Sequence, residues 1–294
     1  MTAVRPAEEA VIATRPAEPA ALGRPRRRVR WAPALVLVVA AVYFLVPLLA
    51  MARFSFQRVP ANRFGWSTLL DGWTVDGVKR FLDDDGFWPA LWLSGRLALG
   101  SVVAAVGLLL PTALWAHLRV PRLRSVVEVV TVLPYVVPPI ALVVGVAGTF
   151  RSVAPWFLQS DWSLVPFYAV LAMPFTYRAL DAGIRAIDLR TLTEASRSLG
   201  AGWWATLWRV VLPNLRAGVI GASFLTATVV LGEFTIASLL LKDTLPLYMS
   251  QFAQREPQGG MALALVSLLA TTLLLAVITT ASRRRGAPPA PAVL

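Results

Sequence analysis

Residues 188–216 read DLRTLTEASRSLGAGWWATLWRVVLPNLR, a polar-to-amphipathic insert between two strongly apolar runs. The rest of the chain reads as a membrane body that presents this insert. Thr191 and Glu194 have capping-box spacing, with Asp188 a competing cap one turn earlier. Leu192, Ala195, Ser196 and Leu199 fall at i, i+3, i+4 and i+7, which predicts one weakly apolar helical face. Gly200 follows where a left-handed C-terminal residue is wanted. A second helix is expected with Trp204, Leu207, Trp208 and Val211 on one side. Pro213 should end it, because proline lacks the N–H and disfavours helix in the residue before it.

The pattern Glu194-Ala195-Ser196, three residues, Gly200, nine residues, Val210-x-Leu212-Pro213 resembles the EAA loop of ABC importer permeases. That family carries E-A-A, G and I-x-L-P at the same spacing, so Ser196 replaces an alanine and Val210 an isoleucine. The resemblance extends over about residues 90–285 as an arrangement of spans. It implies an all-α helical bundle of the type I importer permease fold. It also implies that Glu194, Ala195, Ser196, Gly200, Val210, Leu212 and Pro213 dock on a separate ATPase subunit. The implied partners are ABC ATPase subunits, a second permease subunit (the same or a different chain) and an extracytoplasmic substrate-binding protein.

Composition agrees with a bilayer setting. The chain has 294 residues, 57% of them hydrophobic and 15% charged, with the charge crowded between long apolar runs. A net charge of +12 fits arginines flanking spans rather than a nucleic-acid surface, and no nucleic-acid partner is expected. There is no cysteine, so disulfides and thiolate metal sites are excluded. The single histidine, His117, reads as an interfacial residue. No G-x-x-x-x-G-K-[ST] pattern occurs, so nucleotide hydrolysis is expected elsewhere, and no cofactor, metal or catalytic residue is expected on this chain.

Six spans are expected in a transmembrane domain over 31–285, between polar tails at 1–30 and 286–294 read as disordered and cytoplasmic. The first, Trp31–Ala52, exceeds a signal-peptide core and is expected to be retained. Residues 53–88 balance five basic residues against five aspartates and should lie outside. Within them, 75–83 suggests a surface helix, and Asp83–Asp85 an acidic cluster. Leu97–Ala116 is the second span, followed by the arginine-rich loop His117–Arg124. Val129–Phe150 is the third; Pro134, Pro138 and Pro139 predict a kink whose freed carbonyls must find partners inside protein. The fourth is Trp162–Ala182 and the fifth Ala217–Leu241, whose Gly218-x-x-Gly221-Ala222 allows close helix approach. The sixth is Pro257–Ser282, with Arg283–Arg285 as its stop.

Basic excess at 24–30, 117–124, 185–216 and 283–285 puts both termini and the insert in the cytoplasm of a cell (inner) membrane protein. Glu233, a carboxylate within the fifth apolar run, reads as a candidate translocation-path residue, with Pro138 and Pro139; an outer helix-end carboxylate is the competing reading. LGEFTIASLL and TLPLYM resemble permeases of the spermidine/putrescine group, a set that includes iron, thiamine and phosphonate importers. A polyamine-like substrate is the expectation this resemblance implies. An ion-driven secondary transporter would need an inverted repeat and midplane coordinating groups, and neither is evident.

Overall fold

A computed structural model describes residues 31–58, 65, 68 and 71–284, without the side chains of 32, 275, 278, 279 and 281–284. The expectations for the tails at 1–30 and 286–294, and for Arg285, lie outside the described residues. The chain divides into two units, Met1–Val46 and Pro47–Leu294. In the first, the described residues form one apolar helical run, the opening of α1 (Trp31–Phe56).

The second unit is helical throughout. Among the described residues the only strand-like feature is an isolated antiparallel bridge, Gln57 to Trp73. After the end of α1 come α2 (Asp76–Leu82), α3 (Phe87–Leu118), α4 (Leu123–Val136), α5 (Pro139–Val153) and α6 (Pro155–Gln159). Then follow a 3-10 turn at Asp161–Ser163, α7 (Leu164–Arg185), α8 (Leu189–Ser198) and α9 (Trp203–Thr206). A π-turn at Leu207–Val211 leads into α10 (Leu212–Leu231), α11 (Thr235–Leu239), α12 (Leu245–Arg255) and α13 (Pro257–Arg284).

Helix α7 is the central member and packs most extensively on α10, then on α3 and α4. Two glycines set its approach to α10. A Cβ on Gly183 would fall 2.7 Å from Gly218 Cα, and one on Gly218 would fall 2.9 Å from Gly183 Cα. Farther along, the buried hydroxyls of Thr176 and Thr226 meet at 2.6 Å. Each also reaches the carbonyl four residues back, Ala172 and Ala222, so one proton bridges the helices and the other stays on its own backbone.

Apolar residues on either side of this crossing form two cores. One gathers Leu97, Val143, Leu164, Tyr168, Val230 and Ile236 from α3, α5, α7, α10 and α11. The other gathers Leu109, Leu114, Leu180, Ile184, Leu189, Val211 and Leu215, and so reaches α8 and the π-turn. A third cluster, Phe81, Phe87, Tyr248, Phe252 and Leu263, ties α2 and α12 to α3 and α13. The surface helix expected at 75–83 is thus half-embedded, with Phe81 in its base.

By length and apolarity, Pro33–Phe56, Phe87–Leu118, Trp203–Leu231 and Pro257–Leu274 each suffice to cross a bilayer, and the bent pair α4–α5 makes a fifth. The expected fourth span, α7, is less apolar because Arg178, Asp181 and Arg185 lie in its second half. Arg178 and Arg185 are exposed, and only Asp181 is largely covered, where α7 packs on α3. Asp181 joins His117 across the α3–α7 contact at 2.7 Å, and Arg185 at 2.6 Å.

Candidate functional site

Helix α8 begins at Asp188, whose carboxylate accepts the Thr191 N–H at 3.2 Å and the Thr191 hydroxyl at 2.7 Å. These bonds hold the Asp188 carboxyl below the ordinary aspartate range. The capping box expected from Thr191 and Glu194 is therefore replaced by the competing cap. Asp188 wins because its side chain satisfies the amide and the hydroxyl of Thr191 together.

The phase of α8 also differs from the expectation. Its inward face is Leu189, Thr193 and Ser196, whereas Ala195 is exposed and Leu199 is 88% exposed. Leu189 sets this phase by joining the core of Leu180, Ile184 and Leu215. Ser196 completes it: its hydroxyl meets Thr206 Oγ1 at 2.9 Å, and Thr206 in turn donates to the Gly202 carbonyl at 3.1 Å. The serine that departs from the E-A-A pattern is thus a buried tie between α8 and α9.

The helix ends on Gly200 at φ +82°, the left-handed residue the sequence predicts. Gly200 N–H bonds the Arg197 carbonyl at 2.9 Å and Ala201 N–H bonds the Ser196 carbonyl at 3.1 Å, the paired bonds of a Schellman stop.

Pro213 does not end the second helix, contrary to expectation. The Leu212 N–H bonds the Leu207 carbonyl, five residues back, across the π-turn. The wide turn places Pro213 in the first turn of a new α-segment, where a missing N–H costs little. Asn214 Nδ2 donates to the Val210 carbonyl at 2.7 Å. Trp203 to Leu231 therefore runs on as one continuous helix, and α8 is the only separate helix in the insert. Of the expected docking residues, Glu194, Ala195, Gly200 and Pro213 are exposed, Val210 and Leu212 half-buried, and Ser196 buried. Beside them Leu199, Trp203, Trp204 and Trp208 form an exposed apolar group, Trp204 at 70%. Sequence reasoning put Leu199 on the inner face and missed Thr206, whose only signal is a small polar residue among tryptophans.

The candidate path residues lie at two helix breaks. Between α4 and α5 the chain turns by 88°. Val137 and Pro138 are both extended there (ψ 125° and 133°), and Pro139 opens α5. A proline pushes the residue before it out of the helical region, so two in succession convert the expected kink into a break. Pro134 stays within α4.

The fifth apolar run is also interrupted. Helix α10 stops at Leu231, and Glu233 sits in the gap before α11, 8% exposed. Both carboxylate oxygens accept from the Ile236 N–H at 3.0 Å, and one accepts from the Ala237 N–H at 3.4 Å. Glu233 therefore caps α11, as the orphan amides of a first turn require. The two breaks adjoin. Pro134, Val137, Pro139, Leu142, Val170, Leu171 and Ile236 line a small apolar void between α4, α5, α7 and α11. Among the described residues no group of three or more His, Cys, Asp or Glu is placed to hold a metal.

A bundle of long apolar helices, two of them broken and one connection projecting a braced short helix, defines an integral membrane transport body. Residues 107–286, more than half of the chain, match the family of binding-protein-dependent transport system inner membrane components, and the chain belongs to that family.

It is 31% identical over 261 residues to the sulfate transport system permease protein of Synechocystis, covering 81% of this chain and 89% of that one. It is 29% identical over 209 residues to the thiamine transport system permease protein of Escherichia coli, covering 66% of this chain. It is 28% identical over 216 residues to a probable ABC transporter permease protein of Sinorhizobium fredii, covering 70% of this chain. The match spans 38% of the thiamine relative's length and 37% of the Sinorhizobium one's. The fold is also that of a chain in the crystal structure of a bacterial ABC transporter involved in import of the acidic polysaccharide alginate. The TM-score is 0.64 at 17% identity, covering 85% of this chain and 95% of that chain.

Proposed function

We propose that this chain is the permease of an ABC importer in the cell membrane. Its termini and residues 188–216 face the cytoplasm, and α8 with the start of the Trp203–Leu231 helix seats on a separate ATPase. The observation that carries this reading is the exposed group of Leu199, Trp203, Trp204 and Trp208 around a helix tied down by Asp188, Ser196 and Gly200. Clustered exposed aromatics mark partner surfaces. A braced helix transmits displacement to the Leu189, Val211 and Leu215 core instead of absorbing it. A second permease subunit and an extracytoplasmic binding protein complete the assembly.

The adjoining breaks at Val137–Pro138 and Gly232–Phe234 are the proposed moving part of the path, because irregular backbone within a membrane body is tolerated only inside protein or along a cavity. For the cargo we infer a small charged solute, in keeping with relatives named for thiamine, sulfate and 2-aminoethylphosphonate. A polyamine rests on the likeness of residues 231–249 to that group and on Asp83–Asp85, since the carboxylate of Glu233 already holds backbone amides.

The test is reconstitution in vesicles with candidate ATPase and binding protein, comparing spermidine, thiamine, sulfate and 2-aminoethylphosphonate. Loaded binding protein should stimulate ATP hydrolysis, and Leu199→Glu or Trp204→Glu should abolish the stimulation while the spans stay folded. Full stimulation in both variants would overturn the docking reading.

A further inference from the structure

At the root of α8 lies a cavity of about 350 Å³ whose lining includes His117, Arg124, Arg185, Leu189 and Arg190. It is formed where the ends of α3 and α7 meet the starts of α4 and α8. Arginines from three different helices line it, and no acidic residue does. Of the acids on the segments that form it, Asp181 is taken up by His117 and Arg185, Asp188 by Thr191, and Glu128 faces Arg178. That leaves two arginines uncompensated. Arg124 has a buried Nε without a hydrogen-bond partner, and its Nη2 only reaches the His117 carbonyl at 3.5 Å. Arg190 forms no ion pair among the described residues. A buried guanidinium N–H left unpaired is costly, and a planar fork of donors matches a phosphate or carboxylate.

The position argues for the source of the anion. The cavity opens at the end of a helix long enough to cross a bilayer. Trp115, exposed two residues before His117, has the character of an interfacial anchor, and Arg119 and Arg122 are exposed just beyond. A lipid headgroup phosphate is the anion held at that depth at highest local concentration.

We propose that the cavity binds the phosphate of an anionic phospholipid, bridging Arg124, Arg185 and Arg190. The bridge would join α4 and α7 to α8, so its occupant stiffens the short helix on which the proposed docking depends. The binding itself does not rest on that docking reading, and neither does its test.

The full chain, purified in detergent, is titrated with phosphatidylglycerol, with phosphatidylcholine and with inorganic phosphate. Retained lipid is read by native mass spectrometry, and amide exchange is followed over residues 186–199. Phosphatidylglycerol should be retained at least tenfold better than phosphatidylcholine and should slow exchange in that segment. Arg190→Glu, a charge reversal at an exposed position that leaves the core untouched, should remove both effects; Arg124→Gln should weaken them about tenfold. Equal retention of the two lipids would overturn the proposal, as would unchanged retention in Arg190→Glu. Protection by inorganic phosphate alone would overturn the lipid assignment.

Discussion

Replacing Thr206 with valine keeps its branched shape and removes its hydroxyl, which strands Ser196 Oγ in the interface between α8 and α9. The hydroxyls meet at 2.9 Å, Thr206 is fully buried and Ser196 nearly so. The proton count assigns the bond: Thr206 donates to the Gly202 carbonyl, so Ser196 donates to Thr206. Thr206→Val therefore leaves a buried donor with no acceptor, at about 1–3 kcal/mol. Ser196→Ala leaves Thr206 still bonded to Gly202 and costs about 0.5–1.5 kcal/mol. The double variant removes both polar partners and should return close to the parent. A strongly non-additive cycle follows, with a coupling of about 1–4 kcal/mol, close to the sum of the two single costs. Amide exchange across residues 189–206 is the direct assay, because opening of this segment is local. Thr206→Val should exchange about 5- to 150-fold faster, and the double variant within about threefold of the parent. If the two single effects simply add, the hydroxyl pair is not what joins α8 to α9.

Gly183→Ala should push α7 and α10 apart, because its Cβ would fall 2.7 Å from the Gly218 backbone; a cost of about 1–3 kcal/mol is expected by thermal unfolding in detergent. Gly200→Ala puts a Cβ on a residue at φ +82° and should cost about 1–2 kcal/mol, read as faster exchange at Leu199–Ala201. Glu233→Ala should free the Ile236 and Ala237 amides to exchange, whereas Glu233→Gln, which keeps one acceptor oxygen, should protect them partly. Uptake that falls in Glu233→Ala but survives in Glu233→Gln identifies a cap; loss in both identifies a charge required on the path. Asp188 sets a pH dependence. Its carboxyl lies below the ordinary value, so its contribution to α8 is complete above about pH 4 and is lost as pH falls through the depressed value. Exchange of the Thr191 amide should accelerate in acid, and Asp188→Asn should flatten the profile.

The spans were legible because a bilayer demands long uncharged runs, and no side-chain detail is needed to see them. The break beside Pro138 was legible as a kink, since three prolines in six residues leave little choice. Its 88° was not, because the angle comes from Val137 and Pro138 being extended together. The phase of α8 was misread for a different reason. Apolarity alone favours Leu192 and Leu199, but the helix is rotated by Leu189 entering a core built from α7 and α10, and by a hydroxyl ten residues away. Neither contact has a signature in local spacing. The His117–Asp181 pair, separated by 64 positions, has none either.

Glu233 shows where charge-based reasoning stops. An acid in an apolar run must find hydrogen-bond donors, and those donors need not belong to a cargo or a water-filled passage. Gly232 ends α10, the next helix starts at Thr235, and that start presents unpaired amides to the nearest acceptor. Glu233, three residues before Ile236, is that acceptor. The carboxylate stabilises the break, and the break adjoins the one at Pro138. A substitution there should first change how the two interruptions fit together, and the Glu233→Ala and Glu233→Gln pair separates that effect from loss of a charge on the path.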